Sequence, residues 1–330
     1  MSPWKRFRYR LEQIGCAGLA FAIPLLPRGI LLEVARCAGT LAFHFDRRGR
    51  KVALENLDCV FGQSISQVEL EEMAKKSFQN FVQTMLDLFW AKRLDPRNYQ
   101  RWIKTEGFDL LRQKLATEKR GAIFMCVHEG NWEWASLACG FLGFGNVVVA
   151  ENFKNPRLTE IFKRRREHSG QTLIPQENSI LRLLKVAKRG GATGMLIDLN
   201  LKPSQAATIL EAFGPDGLKM CVPMLHAVIA HRTGALLVPV ETQPQPDGAC
   251  RIIAHPPVEW EAGASVPEIA QRCWDAFEPI IKARPELYLW PYKHFRFRPR
   301  DAERRYPEYA NESSKFDKLA ETCRRPRAGC

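Results

Sequence analysis

Ala122-Ile123-Phe124-Met125-Cys126-Val127-His128-Glu129-Gly130-Asn131-Trp132-Glu133 is the stretch on which the reading of this chain turns. Its first six residues form a short apolar run suited to a buried β-strand, and the Gly-Asn pair beyond them can turn the chain into a helix. In open α/β sheets, catalytic and ligand-binding groups gather at the carboxyl ends of the strands, which is where this order puts His128. Along one continuous helix, positions five apart face directions roughly 140° apart. A turn at Gly130-Asn131, with Asn131 as N-cap, instead folds the chain back and brings Glu133 towards His128.

A paired imidazole and carboxylate suits acyl transfer to an alcohol. The hydroxyl loses its proton as it attacks a thioester, and an imidazole titrating near ~6.5 can take it. The carboxylate fixes the tautomer and stabilises the imidazolium that forms, so no Ser or Cys nucleophile is required. A satisfied core histidine is the plain alternative. A metal site fits poorly, because Trp132 stands where an HExxH pattern needs its second His. Gly263-Ala264-Ser265-Val266-Pro267 is not the G-x-S-x-G elbow of hydrolases. Gly140-Phe141-Leu142-Gly143-Phe144-Gly145 has neither the order of a dinucleotide fingerprint nor a P-loop Lys.

Outward from this stretch, strand-like runs at 147–150, 195–197, 236–240 and 251–254 alternate with helical stretches at 132–142, 157–169, 179–189, 221–232 and 266–284. Such alternation predicts an α/β fold with a largely parallel central sheet covered by helices. Residues 1–100 read as a helical, membrane-associating region, 101–300 as the α/β domain, and 301–330 as a polar tail, mobile or loosely docked. Within the first region, Leu70, Met73, Ala74, Phe78, Phe81, Val82, Met85 and Phe89 recur at helical spacing, and Ser66 with Glu69 forms a capping box ahead of them. Asp95-Pro96 ends that region.

The chain has 330 residues, 45% hydrophobic and 26% charged, the mixture of a globular protein. Its 49 Lys and Arg against 36 Asp and Glu give a formal charge of +13. That excess calls for an anionic partner: nucleic acid, anionic lipid or an acidic protein. The basic residues are dispersed and no nucleic-acid reader motif occurs, which argues against the first. Ten cysteines show no CxxC pair or zinc spacing, and several sit in apolar runs, so they read as reduced thiols of a cytosolic chain.

A basic, aromatic segment, Trp4-Lys5-Arg6-Phe7-Arg8-Tyr9-Arg10, precedes a charge-free stretch at 13–27. Those 15 residues fall short of the ~20 a spanning helix needs, and Pro24 interrupts them. The one A-x-A match, Ala20-Phe21-Ala22, lies inside the run and argues against a cleaved signal. A segment lying on the inner leaflet fits best; a tilted single span and a buried helical hairpin from 11 to 45 are the alternatives.

The string His-x-Gly-Asn-Trp-Glu at 128–133 resembles the signature of the bacterial lipid A late acyltransferases (lauroyl and myristoyl transferases). These belong to the wider glycerolipid acyltransferase superfamily with its H-x4-D/E dyad. Glu55-Asn56-Leu57-Asp58-Cys59-Val60-Phe61 is similar to the family's E-N-L-x-x-x-F segment, and Asn155-Pro156 followed by Arg166-x3-Gly170 to its N-P and R-x3-G elements. The run 194–198, Ala212-Phe213-Gly214, Thr233-Gly234-Ala235 with Pro239, and Pro285-Glu286-Leu287-Tyr288-Leu289-Trp290 extend the likeness over roughly residues 5–298. The resemblance implies an enzyme on the cytoplasmic face of the inner membrane, without metal or organic cofactor. It implies transfer of an acyl chain from acyl carrier protein to a hydroxyl of a lipid A precursor, with His128 as general base oriented by Glu133. Acylation of another glycolipid or a phospholipid from acyl-CoA is the nearest alternative, and a non-catalytic membrane-binding protein a more distant one.

Four further residues carry roles by position. Arg166 matches the family's Arg and stands to bind phosphate or the thioester side, or else belongs to a solvated run with Lys163, Arg164 and Arg165. Asp198, ending a strand, orients a basic or hydroxyl partner or caps a turn. Asn131 donates to the developing oxyanion or caps the helix. Arg296 contacts lipid headgroups or is ordinary surface charge. The chain also departs from the family pattern. Glu129 occupies a place expected to be neutral, where a carboxylate would alter the neighbouring imidazole or simply face solvent. Asp198-Leu199-Asn200 replaces Asp-Gln, and Ala212 replaces a Phe.

Overall fold

Residues 122–126 form a strand whose side chains alternate between two cores: Ile123 and Met125 enter one, Ala122 and Phe124 the other. The computed structural model describes residues 3–62, 64–150, 153–175, 179–214 and 217–323. Its strands are β1 (Ile103–Glu106), β2 (Ala122–Cys126), β3 (Val147–Ala150), β4 (Thr172–Pro175), β5 (Ala192–Leu196), β6 (Ala207–Ala212), β7 (Leu218–Pro223), β8 (Leu236–Pro244), β9 (Cys250–Ala254), β10 (Phe297–Arg298) and β11 (Asn311–Glu312). The helices are α1 (Pro3–Ala22), α2 (Arg28–Phe45), α3 (Arg47–Phe61), α4 (Gln67–Trp90), α5 (Phe108–Glu118), α6 (Trp132–Phe141), α7 (Pro156–Arg166), α8 (Ser179–Lys188), α9 (Leu225–Thr233), α10 (Val266–Ala283) and α11 (Ser314–Cys323).

The central sheet has the order β1-β9-β8-β2-β5-β3-β4. From β8 to β4 all neighbours are parallel; β9 runs antiparallel to β8, and β1 follows β9, so one edge is reversed. The fold is therefore mixed α/β with a mostly parallel sheet. Residues of α8, α9 and α10 fill the core on one face, and residues of α2, α5 and α6 that on the other. Helix α4 contributes to both: Leu70, Ala74 and Phe78 enter the first core, Leu86, Phe89 and Trp90 the second. It opens on the Ser66–Glu69 capping box expected of it.

One stretch differs from the sequence expectation, and the tail takes the docked of its two expected forms. The helix expected at 221–232 begins only at Leu225, because 218–223 pairs antiparallel with β6 as a hairpin. The tail is docked as far as Cys323: α11 buries Phe316 completely against Ile209 of β6 and Cys221 of β7. At the other end, α1 stops at Ala22, a single 3-10 turn carries Pro24, and α2 starts at Arg28. No helix among the described residues is long and apolar enough to cross a membrane.

Candidate active site

The parallel register builds the site. Cys126 of β2 lies opposite Leu196 of β5, and the Ile197 amide donates to the Cys126 carbonyl at 3.1 Å. Two residues further on, in the same register, His128 meets Asp198. The His128 amide donates to Asp198 Oδ2 at 3.0 Å, and its Nδ1 lies 2.8 Å from Asp198 Oδ1. An ionised carboxylate only accepts, so the proton sits on Nδ1 and Nε2 keeps its lone pair. Burial alone would raise the Asp198 carboxyl, but the His128 imidazole and its hydrogen bonds outweigh it and hold the group below its ordinary range. The Trp132 ring packs against the imidazole with centroids 5.1 Å apart.

The turn after His128 depends on Gly130, whose φ of 57° is left-handed. A Cβ there would come within 2.1 Å of Thr242 Oγ1, so the position tolerates no side chain. The Gly130 carbonyl accepts from Asn80 Nδ2 at 3.0 Å and from Thr84 Oγ1 at 2.8 Å, both on α4. Its amide donates to Leu287 O at 3.0 Å, and Leu289 N donates to His128 O at 2.9 Å, tying the loop to the segment before residue 290.

Glu133 does not face His128. It occupies the second position of α6 and gives both carboxylate oxygens to Arg166, at 2.9 and 2.5 Å, and no hydrogen bond or ion pair joins it to His128. The carboxylate on the ring comes from Asp198 at the end of the neighbouring strand, while Glu133, expected to orient that ring, pairs with Arg166 in this structure. Arg166 is thereby a half-buried ion-pair partner rather than a member of a solvated run, and Glu133 raises its already high pKa. Asn131 caps α6 by accepting from Trp134 N at 3.1 Å, while its Nδ2 donates to Asp87 Oδ2 at 2.7 Å. With both ends of its amide engaged, it has the capping role. Arg296 is half-buried beside β10, its backbone carbonyl accepting from Asn311 N. None of the hydrogen bonds around His128 and Asp198 involves it.

Glu129 points into the protein. It is 3% exposed, its Oε1 has no partner, and burial pushes its pKa up to about 8, with Arg284 opposing and Glu241 adding to the shift. Burial thus favours its uncharged form, and it does not face solvent. Sequence reasoning missed two other buried groups. Arg28 pairs with Asp87 through both terminal guanidinium nitrogens, donates from Nε to Gly248 O at 2.8 Å, and lies between the rings of Trp90 and Trp134. Neither has a local sequence signal, since a charged residue on a helix ordinarily faces solvent.

The site joins a mostly parallel α/β sheet to an imidazole held by a carboxylate at the carboxyl ends of two adjacent strands. Residues 5–297 match the family model described as bacterial lipid A biosynthesis acyltransferase. The chain is 24% identical over 300 residues to the lipid A biosynthesis lauroyltransferase of Escherichia coli (strain K12), covering 91% of this chain and 95% of that protein. It belongs to the bacterial lipid A biosynthesis acyltransferase family and is an O-acyltransferase.

Proposed function

We propose that this enzyme moves an acyl chain from acyl carrier protein to a hydroxyl of a lipid A precursor, with His128 as general base and Asp198 as the carboxylate that orients it. The observation that carries this reading is the two-point contact of Asp198 with the backbone and ring of His128, which leaves Nε2 as the free base. Nε2 takes the proton of the acceptor hydroxyl as that oxygen attacks the thioester carbonyl carbon. The C–O bond forms, the C–S bond breaks, and the imidazolium returns its proton to the departing thiolate. Asp198, ionised throughout, stabilises the imidazolium between the two transfers. Glu133 and Arg166 neutralise each other across α6 and α7.

In this reading the enzyme works at the cytoplasmic face of the inner membrane and rests on it through α1 and α2. Trp4, Phe7, Leu11 and Ile14 form one stripe along α1 and are between 53% and 71% exposed. Lys5, Arg6, Arg8 and Arg10 flank them. An exposed apolar stripe edged with cations is the pattern of a helix lying in a lipid interface, its charges meeting anionic headgroups.

The test is acyl transfer by membranes containing wild type or His128→Ala, with acyl carrier protein and coenzyme A thioesters as donors and a tetraacyl lipid A precursor as acceptor. The expected result is transfer from the carrier-protein donor that falls ~10²–10⁴-fold in His128→Ala. An undiminished rate in that variant would remove the mechanism, and preference for the coenzyme A donor would remove the proposed partner. Sedimentation with anionic vesicles, wild type against Trp4→Ser/Phe7→Ser, checks the membrane face; equal binding would sink it.

A further inference from the structure

Ser77, Asn80, Thr84 and Asp87 recur at helical spacing along α4, and all four are buried. Such side chains are poor helix formers, and burying them costs stability unless each finds a partner. A helix that only filled the core would carry Leu or Ala in their places. All four reach across to the loop after β2 or to the segment before residue 291. Ser77 Oγ donates to Tyr288 O and accepts from Trp290 N at 3.2 Å. Asn80 Nδ2 donates to Gly130 O at 3.0 Å and to Leu287 O at 2.9 Å, joining loop and segment. Thr84 Oγ1 gives Gly130 O a second donor at 2.8 Å. Asp87 Oδ2 accepts from Asn131 Nδ2 at 2.7 Å, its backbone carbonyl accepts from Trp134 Nε1 at 3.1 Å, and Arg28 holds its carboxylate from α2.

The peptide between Gly130 and Asn131 is therefore clamped at both ends. Its carbonyl takes two donors from α4, which fills both lone pairs. Its N–H donates to Thr242 Oγ1 of β8 at 2.7 Å. The clamp sits where the backbone is freest, at a left-handed glycine two residues beyond His128. We infer that Asn80, Thr84 and Asp87 are positioning residues for acyl transfer, which pin this peptide from α4 and thereby set where His128 presents Nε2. The inference rests on the reading of His128 as the general base. A shift of about 1 Å in a reacting group can cost roughly 100-fold in rate, so a carbonyl held by two side chains bears on chemistry as well as on folding.

Thr84→Val keeps the shape of the side chain and removes one donor to Gly130 O, while Thr84→Ser returns a hydroxyl. Asn80→Leu/Thr84→Val removes both donors. Hydrogen–deuterium exchange of the purified full chain reads the loop over residues 127–135 without turnover, and acyl transfer reads kcat and KM. Exchange in the loop should rise roughly 3–10-fold in Thr84→Val and return to wild type in Thr84→Ser. In the double variant kcat should fall roughly 10–100-fold, with KM for donor and acceptor moving less than about threefold. Phe316→Leu serves as the control, because it weakens α11, whose buried contacts are with β6 and β7. It should leave both loop exchange and kcat as they are.

Loop exchange unchanged in folded Thr84→Val and in the double variant would overturn the inference. So would a loss confined to KM, or equal changes in the Phe316→Leu control, which would mark a purely structural role. Faster loop exchange that Thr84→Ser reverses supports the inference even if wild type does not acylate the chosen acceptor, in which case the functional reading fails by itself. Should the double variant fail to fold, the comparison of Thr84→Val with Thr84→Ser still decides the matter.

Discussion

His128 and His226 are both buried, 8% and 1% exposed, yet their rings meet different surroundings. His128 stands where two parallel strands release the chain, with its Nδ1 on a carboxylate. His226 lies in the first turn of α9, and neither ring nitrogen has a partner. Burial drives its pKa down to about 3, so it stays neutral across the physiological range. The difference teaches that burial alone silences a histidine. An imidazole able to hold a proton briefly inside a protein needs an anion positioned to share it, and in this fold strand register supplies that anion.

The largest effect that could break this comparison is at Asp198. Asp198→Asn keeps the shape but presents an amide in place of the acceptor on Nδ1, which turns the imidazole to the wrong tautomer. Acyl transfer should fall by roughly 10²–10⁴-fold with the melting temperature little changed. A loss below tenfold would mean that Asp198 is not what orients the base.

Next comes Glu133→Gln, which separates the two candidate carboxylates. It leaves Arg166 largely buried without its counter-charge. Because that guanidinium retains 23% side-chain exposure, solvent screens part of the cost, and the expected destabilisation is about 1–3 kcal/mol. Turnover per folded molecule should drop far less than in Asp198→Asn. Equal losses in the two variants would return Glu133 to the catalytic pair.

The smallest effect is expected at His226. His226→Leu removes two unpartnered ring nitrogens and should leave turnover within about twofold, since nothing in the mechanism uses the ring. Its signature lies in acid stability. The folded pKa of about 3 is below the ordinary histidine value of 6.5, so the unfolded chain binds the proton first. His226 therefore costs no stability above pH 6.5 and progressively more as pH falls from there towards about 3. Urea titrations over this window should show a shallower acid decline in His226→Leu; parallel curves would contradict the neutral, buried assignment.

Much of the fold was readable because its signals are local. The apolar run ending at Cys126, the Gly130-Asn131 turn and the Ser66–Glu69 box each lie within a few neighbouring residues. His128 stood out for the same reason. Its partner did not, because choosing between Glu133 and Asp198 requires knowing that β2 and β5 are adjacent and in what register. Glu133 had the advantage of nearness along the chain, and Asp198 the advantage in space. The pairing of Arg28 with Asp87 was hidden differently, since neither the helix carrying Arg28 nor the one carrying Asp87 marks it as inward-facing. In the tail, one buried aromatic, Phe316, anchors a helix whose surroundings are charged enough to read as solvated.

The position of Arg28 bears on how the chain is made. Its guanidinium is enclosed by two tryptophans and an aspartate, and it donates to the carbonyl of Gly248, 220 residues later. A ribosome delivers these parts in sequence, at about 5–20 residues per second. For some ten seconds or more, α2 exists with its cation in place and Gly248 not yet synthesised. During that interval the apolar surfaces of α1 and α2 have no finished core to join. Closing the Arg28 contact therefore belongs to the late, long-range part of folding, after the strands that lead to His128 and Asp198 have been made.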